Sequence, residues 1–277
     1  MSIAPLAPSL SSRLNKRAHL LRRILSFHKT KNPKDYIELR SSSKFFHRAL
    51  PQPPPLWTSF PSSNHATLQS LVNRLEQLRG DEESSGNVPS ILFIDEGEHD
   101  GAEGNYVTMK KPLSMYGAGR GNTMLIGVSL SIQGKKSDGI VEIEDLTIKG
   151  GQEDGLLANR GMNVIMRGCS VEECQRNGVS AYGADITCDD LQVVGCRGSG
   201  VEADDDATIT LSGKGTSIQG NGTNGESSSY GLEVSYSSSK IELVAPLSKE
   251  QISINNGGGG NWNGGGEYDG VIILINE

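Results

Sequence analysis

Carboxylates crowd one short stretch of this sequence. Glu202 is followed by Asp204, Asp205 and Asp206, and Asp189-Asp190 lie about one repeat earlier. Acids at this density could act as a general acid and base, or as ligands of a calcium ion that acidifies a neighbouring carbon, provided a basic group stands beside them. Consecutive acids alternate sides of a strand or occupy a turn, so such a run does not converge on one point by itself. The sequence also withholds the base: the histidines are His19, His28, His47, His65 and His99, all ahead of the acids, and neither His nor Arg falls between Glu202 and Asp206. The expectation is therefore no catalytic residue, no cofactor and no metal, with Glu202, Asp204, Asp205 and Asp206 as a weak set for holding a basic protein target.

Two other patterns invite chemistry and fail their context tests. Gly117-Ala118-Gly119-Arg120-Gly121-Asn122-Thr123 has glycines that would let backbone N–H groups approach an anion. It lacks the lysine of a phosphate-binding loop and runs into Met124-Leu125-Ile126, a strand rather than a helix, so it reads as a corner. Cys169, Cys174, Cys188 and Cys196 follow a C-x4-C-x13-C-x7-C spacing that matches no zinc pattern. They fall at inward positions, where cysteine behaves as a small apolar residue; a disulfide between stacked Cys174 and Cys196 is conceivable, but the N-terminus shows no secretory signal that would place it in an oxidising compartment.

The elements that must position these residues come from a repeat. Between Gly134 and Gly257 the chain repeats every 21 to 23 residues over its first three turns. Five columns align: Val141, Val164 and Ile186; Ile143, Met166 and Cys188; Leu146, Cys169 and Leu191; Ile148, Val171 and Val193; Gly151, Cys174 and Cys196. Each unit closes on a turn pair and an aliphatic residue, as in Asp154-Gly155-Leu156, Asn177-Gly178-Val179 and Ser199-Gly200-Val201. A period near 22 is too short for helix pairs, and the columns lack a leucine-rich ladder, so the unit is a coil of short strands. Two further coils fit with insertions, carrying Ile209, Leu211, Thr216 and Ile218, then Ile241, Leu243, Ile252 and Ile254. The fold class expected is mainly β, a right-handed parallel β-helix over residues 91–277, behind a small α-helical N-terminal module.

Leu68, Leu71, Val72, Leu75 and Leu78 share one face of a helix, expected to cap the first coil within a capping and linker segment at 63–90. Asn256 to Gly266 reads as a mobile corner insertion, and Val271 to Ile275 as a last apolar strand, uncapped and open to end-to-end contact. The order of helix, "ILFIDEGEH" and "YVTMKKPLSMYGAGRGNTMLIG" resembles the entry to pectin-lyase-like β-helices. That scaffold carries many activities. Tyr182-Gly183-Ala184-Asp185 comes nearest to the pattern of its alginate epimerases but lacks the Pro-His that follows there.

Charge divides the chain. Residues 1–60 hold eleven Lys or Arg against Asp35 and Glu38, a net of +9, which leaves −16 for the remainder of a chain whose total is −7. Two modules with different partners follow, and the acidic body argues against nucleic acid as the solenoid's ligand. After an expected disordered stretch at 1–15, the segment "LLRRILSFHKTKNPKDYIELRSSSKFFHRALPQPPPLW" within residues 16–62 is similar to an F-box. That resemblance implies docking on a Skp1-like adaptor, with Leu20, Leu21, Ile24, Leu25, Leu39, Phe45 and Leu50 in or beneath the interface and Trp57 packing the end. The pairing of such a head with a β-helix resembles the β-helical F-box-only proteins. It implies a non-catalytic substrate-recognition adaptor of a Skp1-cullin-type ubiquitin ligase, cytoplasmic or nuclear, whose solenoid binds a protein target. The alternative is a carbohydrate-active or sugar-binding β-helix. Its acid-free, basic residues 1–31 would then be an organellar targeting peptide. No apolar run is long enough to span a membrane.

Overall fold

Strands with inward positions at every second residue wind this chain, because a strand too short to bury a face alone must stack on its neighbours. The computed structural model describes residues 57–80, 88–100, 106–236, 238–263 and 270–276. Among them, three parallel sheets form the walls of a coil. The first has nine strands, from Trp57–Phe60 to Val271–Ile275; the second runs from Gly97–Asp100 to Ser253–Ile254, and the third from Val107–Met109 to Gly260–Trp262, with seven strands each. Every complete rung visits the sheets in that order, so the architecture is a parallel β-helix.

Register makes the sequence columns physical. Val141 pairs with Val164, Val164 with Ile186, and Ile186 with Ile209, while Ile148, Val171, Val193 and Ile218 stack in the second sheet. In the third sheet Leu130, Leu156, Val179, Val201 and Leu232 do the same. These residues are fully buried or nearly so. Rungs about 4.8 Å apart bring each side chain onto its own equivalent above and below.

The turn pairs have two separate causes. At the exterior corner, Asn177 N–H donates to Asp154 Oδ1 (3.0 Å), Ser199 N–H to Asn177 Oδ1 (2.7 Å) and Tyr230 N–H to Ser199 Oγ (2.8 Å). Each polar side chain thus satisfies an amide of the next rung. The glycines that follow are required by space: a Cβ on Gly178 would collide with Val193 Cγ1 and lie 2.5 Å from the Gly200 carbonyl oxygen. Gly155 and Gly200 meet the corresponding Val171 and Ile218 methyls.

The interior corner column runs from Gly151 through Cys174 and Cys196 and then changes chemistry to Asn221 and Asn256. Asn221 Oδ1 accepts the Cys196 N–H (3.0 Å), Asn256 Oδ1 accepts the Asn221 N–H (2.9 Å), and each Nδ2 donates to a backbone carbonyl, Val193 and Ile218 respectively. The buried Asn221 and the half-buried Asn256 are admissible here because both ends of each amide are bonded. Asn221-Gly222-Thr223, a sequon in form, therefore has its asparagine inside the coil, at 0% exposure.

The cap helix spans Leu68–Gly80, with Leu68, Leu71, Val72 and Leu75 buried. It also answers the open edge of the third sheet: Thr108 N–H donates to Gln69 Oε1 (3.1 Å) and Lys110 N–H to Glu76. Arg79 ties its C-terminal turn to the Pro112 carbonyl (2.8 Å).

Three expectations change. Ile254 does not continue the inward column; Ser253 pairs with Ile218 and is buried, while Ile254 is half-buried beside Gln219, because the inserted helix Lys249–Ile252 shifts the frame by one residue. The glycine-rich stretch after Asn256 is a regular rung through Trp262: Gly260–Trp262 pairs with the third sheet, and Lys249 lies 5.0 Å over the Trp262 ring. Trp57, expected to close the helical head, begins a strand paired with Ile91–Ile94. The rest of that head, including Leu20, Leu21, Ile24, Leu25, Leu39, Phe45 and Leu50, lies outside the described residues. No helix among those described is long and apolar enough to cross a membrane.

The two kinds of corner glycine separate by mutation. Gly178→Ala, which meets backbone, is expected to cost about 1–3 kcal/mol or more through overpacking. Gly220→Ala, with φ of +62° and open space around the added Cβ, should cost only the left-handed backbone penalty of about 1 kcal/mol. Chemical denaturation of both variants measures the order; equal costs would contradict the close-approach argument.

Candidate functional site

The inward aliphatic residue after each turn pair is followed by one that must face out. On the third sheet this places Leu157, Ser180, Glu202 and Glu233 in one outward column, and Asn159, Tyr182 and Asp204 in a second, one pleat along. Glu202 is only 9% exposed despite facing out. Its Oε2 accepts three hydrogen bonds, from Asn177 Nδ2 (2.7 Å), Ser180 Oγ (3.1 Å) and Tyr182 Oη (2.9 Å). One neighbouring strand and the exterior corner therefore fix a single carboxyl oxygen.

Glu233 stacks directly on Glu202 in register. The Ser199 hydroxyl donates to it. Burial is the main cause that pushes the Glu202 carboxyl up to about 7, with the Glu233 charge second, against the hydrogen bonds from Tyr182 and Ser180. Burial also raises Glu233, and Asp154 in the same way. Tyr182 and Tyr106 are pushed above the ordinary phenol range by burial and then by the nearby carboxylates, so both serve as donors, Tyr106 to Asp154 at 3.3 Å. The arrangement can hold a proton at neutral pH or take a positive charge.

Two cavities lie on this face. One of about 430 Å³ is bounded by Asn177, Arg197, Glu202, Glu226, Ser229 and Glu233. The other, about 330 Å³, is bounded by Asp154, Arg160, Arg176, Tyr182 and Asp205, and Arg176 lines both. Arg176 is already engaged by Glu153 (3.4 Å), and its charge is stabilised foremost by Asp154. Arg197 donates to Gln175 (3.2 Å).

The acidic residues singled out from the sequence divide between these surroundings. Glu202 and Asp204 share one strand and one face. Asp204 has a buried Oδ1 that lacks a hydrogen-bond partner among the described residues, and burial raises its carboxyl. Asp205 sits in the turn, in a forked contact with Arg160 (Nε to Oδ2 2.7 Å), and Asp206 is exposed. The Asp189-Asp190 pair is not brought to them: it lies at the corner between the first and second sheets, bonded to Ser212 Oγ (2.9 Å) and Gly215 N–H (2.7 Å). Tyr182 and Asp185 also part company, because Gly183 turns the corner and Asp185 pairs with Lys136 at 3.0 Å on the first sheet. Sequence reasoning missed Asn177, Ser180, Tyr182 and Glu233 as one group. The signal was available in the second position after each corner glycine.

The family model described as "Right handed beta helix region" matches residues 130–260. No curated protein matches. Among solved structures, the chain is similar to the Azotobacter vinelandii mannuronan C-5 epimerase AlgE6 A-module, at 11% identity over 76% of this chain and 94% of that one, with a TM-score of 0.24. The solenoid is a right-handed parallel β-helix.

The raised Glu202 carboxyl makes stability depend on pH with a definite sign. The folded state binds the proton more tightly than the unfolded chain, so stability falls as pH rises from the ordinary glutamate value of 4.5 through about 7. The shift corresponds to about 3 kcal/mol in full. Glu202→Gln keeps an oxygen for the three donors and abolishes the ionisation. Thermal unfolding should show the variant more stable than the native chain at about pH 8 and nearly equal at about pH 5; a parallel shift at both would refute the assignment.

Proposed function

We propose that the solenoid is a recognition module and that its third-sheet groove takes a basic side chain of a protein target. The observation that carries this reading is the in-register stack of Glu202 on Glu233 at the wall of the larger cavity, with Glu226 also lining it. A buried and a half-buried carboxyl group one rung apart oppose each other's ionisation, and an ammonium or guanidinium between them relieves both the repulsion and the desolvation. The resemblance of the segment beginning at Leu20 to an F-box supports the wider role of a non-catalytic adaptor, with a Skp1-like protein on Leu20 to Leu50 and the target on the groove.

A second reading is favoured by a different property of the same cavity. Its remaining lining is rich in amides and hydroxyls, from Gln175, Asn177, Asn224, Ser228 and Ser229, the groups that bond sugar hydroxyls. On that reading the ligand is an oligosaccharide and residues 1–31 serve targeting.

One set of titrations tests both. The full chain is titrated with lysine- and arginine-containing peptides, with the same peptides acetylated or citrullinated, and with neutral and acidic oligosaccharides. A cationic ligand requires ionised Glu202, so peptide affinity should fall as pH drops from about 8 to about 6, and Glu202→Gln with Glu233→Gln should weaken it at least about tenfold. Saturable sugar binding with indifference to peptide charge would replace the first reading by the second. Capture of a purified Skp1-like adaptor by the full chain, lost in a Leu21→Asp, Leu25→Asp double variant, would support the head's part; no capture by the native chain would remove it.

A further inference from the structure

Beneath the groove, two thiols occupy one inward column on successive rungs. Cys174 and Cys196 are equivalent residues on adjacent rungs: Val171 pairs with Val193 and Glu172 with Val194 in the strands that lead to them, and Arg197 N–H donates to the Cys174 carbonyl at 2.9 Å. Both are fully buried and both are free thiols. Rungs about 4.8 Å apart put stacked Cα atoms inside the window of roughly 4.4–6.8 Å that a disulfide spans. The other cysteines have no thiol in their columns, since Cys188 stacks on Met166 and Leu211, and Cys169 belongs to the column of Leu146 and Leu191.

We propose that Cys174 and Cys196 are a redox pair, converted by a small hydroperoxide into an intramolecular disulfide that clips together the two rungs carrying the floor of the groove. The residues that follow the two cysteines, Arg176 and Asn177 on one rung and Arg197 and Gly198 on the next, line the larger cavity. Each thiol donates to the carbonyl two residues before it, Cys174 Sγ to Glu172 (3.5 Å) and Cys196 Sγ to Val194 (4.0 Å), and the proximity of the two favours ionisation of Cys174 and opposes that of Cys196. In this scheme Cys174 is the attacking sulfur and Cys196 the resolving one. The Cys174 thiolate attacks one peroxide oxygen, the O–O bond breaks, and the departing hydroxide takes up the thiol's proton as water, leaving a sulfenic acid. Cys196 sulfur then attacks Cys174 sulfur and the sulfenic hydroxyl leaves with the Cys196 proton as a second water. Two thiols are oxidised and one peroxide is reduced. A peroxide molecule is close in size to water, which suits a pair beneath the surface.

The expected consequence is a stiffer corner: with the rungs linked, the hydrogen bond from Arg197 to Cys174 opens less often. Only the effect on ligand binding rests on the recognition reading above, so the test uses no ligand. The full chain is exposed to hydrogen peroxide, quenched, denatured and alkylated. Two of the four thiols should resist alkylation without reductant, the intact mass should fall by two hydrogens, and peptide mapping should join Cys174 to Cys196 while Cys169 and Cys188 remain alkylated. Cys196→Ala, which keeps a small apolar side chain in the column, should instead leave a sulfenic acid on Cys174 that dimedone traps. Amide exchange at Arg197 should slow on oxidation of the native chain and not of the variant. Retention of four thiols, pairing between chains, or linkage through Cys169 or Cys188 would overturn the proposal; linkage with unchanged Arg197 exchange would overturn its coupling to the groove.

Discussion

Registered stacking of one rung on the next is the constraint from which the remaining features follow. Parallel pairing without slippage puts Val164 on Val141 and Ile186 on Val164, and it applies equally to residues that did not evolve to bury themselves. A column accepts only what can sit on its own kind about 4.8 Å away. Aliphatic side chains do so by contact, asparagines by bridging amide to amide, and the corner pairs by lending an oxygen to the next N–H. Carboxylates do so at an energetic disadvantage, and that makes the Glu202–Glu233 stack informative.

The same constraint explains how a site can be assembled from residues remote in sequence. Asn177, Ser180, Tyr182, Glu202 and Glu233 come from three rungs, yet the pleat aims them at one side and the corner supplies the amide donor. Glu202 stays on the surface sheet but loses its water to Tyr182 and the exterior corner. Its environment resembles an interior with one open wall.

Much of the fold was legible because burial is periodic. The five columns, the capping helix, the corner at Gly117–Thr123 and the terminal strand all follow from side chains that repeat in kind. The reading failed where an insertion breaks the count: the helix Lys249–Ile252 moves Ser253 into the column meant for Ile254. It failed too where composition was taken for conformation, since the glycines after Asn256 support a paired strand at Gly260–Trp262. Of the groove, Glu202 and Asp204 were visible as acids, whereas their partners were not, because Ser180, Tyr182 and Asn177 are unremarkable one at a time. Proximity in sequence misled over Asp189-Asp190, which a single corner carries to another face.

The exterior corner ladder of Asp154, Asn177 and Ser199 has an implication for how such a molecule changes over evolutionary time. Each member accepts an amide from the rung above and presents the same kind of oxygen in turn. A duplicated unit of one turn would find both of its interfaces already complementary. It would lengthen the groove by a single rung without disturbing either end. Binding reach in this architecture can thus grow or shrink by copying or deleting one genetic module, independently of the chemistry displayed on it.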